Sequence, residues 1–256
     1  MSEPIPRIVV FDLDDTLYLE RDYATSGFRA AATTVFAADP ALAERVAKTC
    51  QDLFDAGLRQ MVFDASLDRC GVTAAGDLVS RLVSAYRHHH PRIALAPDAA
   101  RYLDACPTGT PLALITDGPP ASQRAKIAAL GLESRIAKIV CTGELGEGRG
   151  KPHPEAFEEV ERWAELPADR LVYVADNAAK DFLTPRRRGW ASVQILRPGR
   201  IHRHDPPGAD YRADRVIRSL DALDAGLDAL DRKRLTAMAG PAQVENGRQG
   251  PQVSCA

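Results

Sequence analysis

The residues best suited to chemistry are two aspartates, Asp12 and Asp14, that directly follow a short apolar run. That run, residues 8–11, consists of two valines, an isoleucine and a phenylalanine, which predicts a strand buried on both faces. A lone aspartate after a strand is commonly a turn residue that caps its own backbone, and we assign that role to Asp15. Together Asp12 and Asp14 can supply a nucleophile, a general acid or base, and oxygen ligands for a cation.

Polar side chains also follow the next three predicted strands, which span residues 112–116, 136–140 and 171–175. In chain order they are Thr116 and Asp117, Lys151, and Asp176 with Asp181. Ligands of open α/β sheets bind outside the carboxyl ends of the strands. We therefore expect these side chains to meet Asp12 and Asp14 in one crevice.

Each of these residue types has a part in phosphoryl transfer. Asp12 can attack phosphorus to form an aspartyl phosphate, and Asp14 can protonate the leaving oxygen and then activate water. Thr116, the neighbouring backbone N–H groups and Lys151 can hold the phosphoryl oxygens. For Mg²⁺, which prefers oxygen ligands, the predicted ligands are the carboxylates of Asp12 and Asp176 and the backbone carbonyl of Asp14.

The pattern of apolar and polar residues along the rest of the chain predicts the helices and strands that must position these residues. From residue 19 to about 92 it is helical, with no predicted strand, and Asp39-Pro40 marks a helix start. After Pro91, strands and helices alternate, which is typical of a doubly wound parallel sheet. The sequence therefore predicts an α/β, Rossmann-like core (1–18 and 93–231) with an inserted α-helical cap (19–92). A last helix over about 214–230 and a mobile C-terminal tail (232–256) complete the prediction.

Composition limits the function classes. The 256 residues carry a net charge of −2, which does not favour a nucleic-acid partner. No apolar run is long enough to span a membrane, and the N-terminus does not resemble a signal peptide. The five cysteines include no C-x-x-C pair, which favours reduced thiols in a cytoplasmic protein. We expect a monomer or homodimer with a small-molecule substrate.

Four segments in order resemble the motifs of the haloacid dehalogenase (HAD) superfamily. They are Asp12-Leu13-Asp14-Asp15-Thr16, Thr116 after its strand, Gly150-Lys151-Pro152, and Ala175-Asp176-Asn177-Ala178-Ala179-Lys180-Asp181. The resemblance covers about residues 7 to 220, and the helical block lies where that superfamily has its C1-type cap. Asp117 with Gly118, and Gln123 and Lys126 farther on, are also similar to the nucleotidase-like and N-acylneuraminate-9-phosphatase-like branches.

The resemblance implies a Mg²⁺-dependent phosphatase with a HAD-like core and a small phosphate ester as substrate. Asp181 would bind the metal directly, through water, or orient Lys151, while Asn177 would support the metal or cap a helix. Lys180 is expected to be a solvated or supporting residue. Two positions depart from the family pattern: Ala175 replaces a common glycine and Asp117 a common asparagine. At the entry to the cap, Arg21 is the candidate for binding a second anionic group.

Other functions remain open at this stage. A phosphotransferase or phosphomutase would keep all of these residues. A haloacid dehalogenase would use the same fold and nucleophile but attacks carbon and needs neither the second aspartate nor a metal. A non-catalytic binding protein on the same fold is the third alternative.

Overall fold

A six-stranded parallel sheet forms the centre of the computed structural model, which describes residues 7–239, with side chains to residue 232. The strands are β1 (Ile8–Phe11), β2 (Leu112–Thr116), β3 (Lys138–Cys141), β4 (Leu171–Ala175), β5 (Ala191–Ile195) and β6 (Arg215–Ile217). Their order across the sheet is β3-β2-β1-β4-β5-β6, and every neighbouring pair is parallel. The predicted α/β class is confirmed, and all carboxyl ends lie at one edge.

Helices cover both faces of this sheet. Those outside the segment between β1 and β2 are α6 (Pro120–Ala129), α7 (Glu155–Ala164), α8 (Leu183–Arg188) and α9 (Leu223–Ala239). On β1, Val9 and Phe11 belong to one buried cluster, with side chains of α6 and α9. Ile8 and Val10 belong to the other, with side chains of α7. Successive strand residues point to opposite faces, so this double burial explains why β1 is apolar at every position.

The segment between β1 and β2 is entirely helical where it has regular structure. It contains α1 (Glu20–Val35), α2 (Pro40–Asp55), α3 (Val62–Arg69), α4 (Leu78–Arg87) and α5 (Pro97–Ala105). The first four helices share a third buried cluster, in which the ring of Phe28 packs edge-on against Phe54 and Phe63. As predicted, Asp39 caps α2, its carboxylate accepting a hydrogen bond from the N–H of Leu42 at 2.9 Å. The domain limits at 18/19 and 92/93 stay a prediction.

The C-terminal part differs from the prediction. Residues 215–217, predicted as the start of a helix, form the edge strand β6, in which only Ile217 is buried. Such a short, largely exposed strand has no alternating pattern to reveal it. The mobility of the predicted tail stays a prediction, but the last helix, α9, runs to Ala239 and so includes residues 232–239. These residues are mostly good helix formers, and residues 240–256 of the predicted tail lie outside the described part.

A buried ion pair connects the elements around β1. The carboxylate of Asp98, on α5, accepts hydrogen bonds from Arg197 Nη1 at 2.6 Å and from the N–H of Leu220 at 2.7 Å. Arg197 Nε also donates to the carbonyl of Thr16, in the loop after β1. Both charged side chains are buried. The pair thus joins α5, the loop after β5 and the segment before α9 to the loop after β1.

We expect Asp98→Ala to lower the free energy of unfolding by about 3–5 kcal/mol, because it leaves Arg197 charged and buried without its partner. Asp104→Ala is the matched control, since Asp104 lies on the same helix but pairs with Arg135 at the surface. It should cost less than about 1 kcal/mol. Urea denaturation of both variants measures the difference. Equal, small losses would show that the buried pair does not hold these elements together.

Candidate active site

The carboxyl edge of the sheet brings most of the predicted residues together. A cavity of about 110 Å³ is lined by Asp12, Asp14, Glu20, Asp117, Asp176, Asn177, Lys180 and His202. Three larger grooves, of about 520, 990 and 360 Å³, include none of the predicted catalytic residues. The small cavity is therefore the candidate active site.

Lys151 links three side chains at the base of this site. Its Nζ donates hydrogen bonds to Asp12 Oδ1 at 2.6 Å and to the hydroxyl of Tyr173 at 2.9 Å. Asp181 Oδ1 lies 2.8 Å from the same nitrogen, and the ammonium group is fully buried. Burial alone would lower the pKa of Lys151, but the charges of Asp12 and Asp181 outweigh it and hold the pKa well above its usual value. Lys151 is thus a permanent buried cation.

Three buried carboxylates form a candidate metal centre. Asp12, Asp176 and Asp181 each place an oxygen within 4.8 Å of the others. Burial raises the pKa of Asp176 to about 9 and that of Asp12 to about 7, with further contributions from the neighbouring carboxylates. Asp176 Oδ2 is buried without a hydrogen-bond partner among the described residues. One ammonium, from Lys151, does not balance three carboxylates, so the cluster fits a divalent cation that prefers oxygen ligands.

The carboxylate of Asp14 points to helix α6 and not to this cluster. It accepts hydrogen bonds from Lys126 Nζ at 2.7 Å, from Gln123 Nε2 at 3.0 Å and from the hydroxyl of Tyr18. Burial favours the neutral acid, but Lys126 and these hydrogen bonds outweigh it and hold the pKa of Asp14 below its usual value. Its predicted metal contact, through the backbone carbonyl, stays a prediction. Lys126 also lies over the ring of Tyr23, at 4.2 Å from the centroid.

Thr116 and Asp117 occupy different surroundings. The hydroxyl of Thr116 is buried and accepts a hydrogen bond from Gln123. Asp117 lines the cavity, where its Oδ2 pairs with Lys180 Nζ at 2.6 Å and its Oδ1 accepts the N–H of Lys151 at 3.1 Å. Burial opposes ionisation, but the charges of Lys151 and Lys180 outweigh it and lower the pKa of Asp117 to about 2. The negative charge of Asp117 is therefore balanced by the positive charge of Lys180. Lys180 itself lies in the site.

Asp181 and Asn177 both show the supporting contacts that the sequence left as alternatives. Asp181 holds Lys151 with one oxygen and accepts the N–H of Asn177 with the other, at 3.0 Å. Asn177 Oδ1 accepts the N–H of Ala179, which is a turn cap. Metal binding by Asp181, directly or through water, and support of the metal by Asn177 stay predictions.

Arg21 is the predicted site residue that the structure places elsewhere. Its guanidinium pairs with Asp55 of α2 at 2.6 Å, is half exposed and is not among the cavity-lining residues. Successive residues of a helix point about 100° apart, so Glu20, and not Arg21, faces the cavity from the start of α1. Glu20 and His202 are the functional candidates that sequence reasoning missed. Neither belongs to a motif, and His202 lies in a loop without periodicity.

A family model and several known proteins match this chain. The family model for hydrolases described as haloacid dehalogenase-like matches residues 6–187. The phosphoserine phosphatase of Thermus thermophilus is 31% identical over 144 residues, which span 55% of this chain and 56% of that protein. The glyceraldehyde 3-phosphate phosphatase of Methanocaldococcus jannaschii is 26% identical over 84% of this chain and 94% of its own length.

Solved structures show the same fold. The HAD hydrolase YfnB of Bacillus subtilis, bound to magnesium, has a TM-score of 0.62 at 19% identity, covering 87% of this chain and 99% of that one. The L-2-haloacid dehalogenase of Xanthobacter autotrophicus has a TM-score of 0.56 at 17% identity, over 88% and 99%. No helix in residues 7–239 has the length and hydrophobicity that a membrane span requires. The chain belongs to the haloacid dehalogenase-like family of hydrolases.

Proposed function

We propose that this hydrolase is a Mg²⁺-dependent phosphatase that cleaves a small phosphate monoester through an aspartyl phosphate on Asp12. The observation that supports this most directly is the buried group of Asp12, Asp176 and Asp181 around Lys151. Such a set offers a nucleophile, a cation site and a fixed positive charge within one cluster. Two relatives named as phosphatases support the same reaction class.

Asp12 is held ready to attack. Lys151 fixes its Oδ1, and Thr16 Oγ1 lies 3.3 Å from its Oδ2 as a weak donor. This pair of contacts restricts the rotation of the carboxylate, so that little orientation entropy is lost when substrate binds. Mg²⁺ bound at Asp12 and Asp176 would supply the charge that removes repulsion between the carboxylate and the phosphoryl group.

Asp14 provides the proton transfers in this proposal. Its carboxylate is ionised in the substrate-free site because Lys126 lowers its pKa, and an anionic phosphate entering beside it raises that pKa again. Asp14 then takes up a proton from water and gives it to the leaving oxygen. The resulting carboxylate takes a proton from the water that attacks the aspartyl phosphate, which releases phosphate and restores the carboxylate of Asp12. Lys126, Gln123 and Tyr18 fix the direction of the carboxylate throughout.

The dehalogenase alternative fits these contacts less well. Attack on carbon needs an aspartate nucleophile but has no use for a second, cation-paired carboxylate such as Asp14. Without a divalent cation it also leaves three buried carboxylates around the one ammonium of Lys151. The L-2-haloacid dehalogenase of Xanthobacter autotrophicus is 17% identical to this chain, so its likeness shows a common fold and no common reaction.

The reaction class is tested by phosphate release from a broad panel of metabolite phosphates, with Mg²⁺ or with EDTA. We expect Mg²⁺-dependent release, which Asp12→Asn lowers by about 10⁴-fold or more because no nucleophile remains. Asp68→Asn, at an exposed position on α3, is the control and should keep wild-type rates. Release that survives EDTA, or that Asp12→Asn retains, contradicts the proposal. Transfer to an added alcohol in place of water would instead identify a phosphotransferase.

The metal centre is tested by thermal unfolding. Because the pKa values of Asp12 and Asp176 are raised, the folded, metal-free protein holds protons that the unfolded chain has already released. The stability that this protonation contributes is lost as pH rises through about 7 and about 9. Metal binding needs the deprotonated carboxylates. The rise in Tm caused by Mg²⁺ should therefore be larger at about pH 8.5 than at about pH 6.

Asp176→Asn separates stability from metal binding. The variant should lose the Mg²⁺-dependent rise in Tm. At about pH 8.5 its metal-free form should be more stable than the wild type, by about 1–3 kcal/mol, because the amide removes the cost of either burying a charge at this position or holding a proton far above the ordinary pKa of an aspartate. Asp104→Asn, on the surface of α5, serves as control and should change neither quantity. A normal Mg²⁺ response in Asp176→Asn would exclude Asp176 as a ligand.

A further inference from the structure

Two side chains of the cavity have no part in the chemistry proposed above. Glu20 begins α1, and His202 lies in the loop after β5. Glu20 Oε2 and His202 Nε2 are 3.9 Å apart, which is too long for a hydrogen bond. Neither side chain forms a hydrogen bond among the described residues. Both polar groups therefore remain available to a third group placed between them.

The buried carboxylate of Asp15 fixes both residues beside the catalytic loop. Its Oδ1 accepts the N–H of Glu20 at 3.0 Å, and its Oδ2 accepts the N–H of Ile201, next to His202, at 2.6 Å. Asp15 itself has a φ of 54°, a left-handed conformation that Asp and Asn adopt more readily than most residues. Ile201 in turn packs against the hydrophobic cluster of α1–α4. The turn residue after Asp14 thus brings two separate segments to the mouth of the site.

Charge in this region favours a neutral polar group. Glu20 lies near Asp14, and a substrate carboxylate or second phosphate beside these two acids would be repelled. Burial and then Asp14 raise the pKa of Glu20 to about 7. Burial, followed by the charge of Lys180, lowers the pKa of His202. A neutral imidazole offers one donor and one acceptor, so the pair matches a hydroxyl group, which both donates and accepts.

Size adds a second restriction. The cavity measures about 110 Å³, against about 300–1,000 Å³ for pockets that hold drug-sized ligands. A phosphoryl group occupies part of this space, because the nucleophile Asp12 lines the same cavity. A short leaving group therefore suffices to fill the space that remains.

We propose that Glu20 and His202 recognise a hydroxyl group of the leaving group, on the carbon next to the one that carries the phosphate ester. The substrates are then phosphate monoesters of short polyhydroxy compounds. This inference rests on the proposed phosphatase function. Glu20 accepts a hydrogen bond from the hydroxyl, and His202 donates one to its oxygen. The substrate then aligns its ester oxygen toward Asp14, which lines the same cavity.

The test compares two esters with the same carbon chain, propane-1,2-diol 1-phosphate and n-propyl phosphate. We expect the wild type to prefer the hydroxylated ester by about tenfold or more in kcat/KM, as one well-placed hydrogen bond allows. Glu20→Ala and His202→Ala should each reduce this preference to less than about threefold. Glu20→Gln retains an acceptor oxygen and should keep most of the preference. Glu133→Gln, exposed and remote from the cavity lining, is the matched control and should leave the ratio unchanged.

The outcomes separate this inference from the function on which it rests. Release from both esters without a preference in the wild type overturns the recognition role alone. Equal losses for both esters in Glu20→Ala and His202→Ala also overturn it, since those variants would then affect the site in general. No release from any ester overturns the phosphatase proposal together with this one. Should Glu20→Ala fail to fold, judged by circular dichroism, the pair Glu20→Gln and His202→Ala still decides between these results.

Discussion

The buried ammonium of Lys151 is the interaction on which the arrangement of the site depends. It joins Asp12, after β1, to Asp181, after β4, and is itself delivered by the loop after β3. Carboxylates brought this close in a desolvated site repel one another, and without a compensating cation they would remain protonated or move apart. Tyr173 supports the ammonium from within β4, and its ring packs edge-on against Phe157 in the core. The catalytic centre is thus continuous with the packing of the sheet.

The loop after β1 connects this chemistry to the helical segment. Asp12 belongs to the carboxylate cluster, Asp14 to the contact with Lys126, and Asp15 to the start of α1 and the loop after β5. Arg197 also binds this loop, since its Nε donates a hydrogen bond to the carbonyl of Thr16. Adjacent residues in one short loop therefore point in three directions, which is possible because Asp15 adopts a left-handed backbone conformation. The same loop therefore supports both the proposed catalytic residues and the proposed recognition pair, Glu20 and His202.

Sequence alone predicts which side chains meet in the site when each of them lies at the carboxyl end of a strand. An apolar strand followed by an acidic residue is a local pattern, and parallel strands bring such ends together without further information. The positions of Glu20, Arg21 and His202 are different, because they depend on the rotational phase of α1 and on how a loop folds back over the sheet. The partner of Asp14 shows the same limit: Lys126 is visible in the sequence only as a helical lysine, and its contact exists only after α6 packs beside β1. Edge strand β6 is too short to produce a pattern.

Trapping of the covalent intermediate shows which residue attacks phosphorus. Protein mixed with a phosphate ester and Mg²⁺ is quenched in acid during turnover, reduced with borohydride and mapped by mass spectrometry. Reduction converts an aspartyl phosphate to homoserine, so the modified residue is identified by its mass. We expect homoserine at position 12 alone, dependent on Mg²⁺ and on substrate. Turnover without any modified residue, or modification at another aspartate, would contradict Asp12 as the nucleophile held by Lys151.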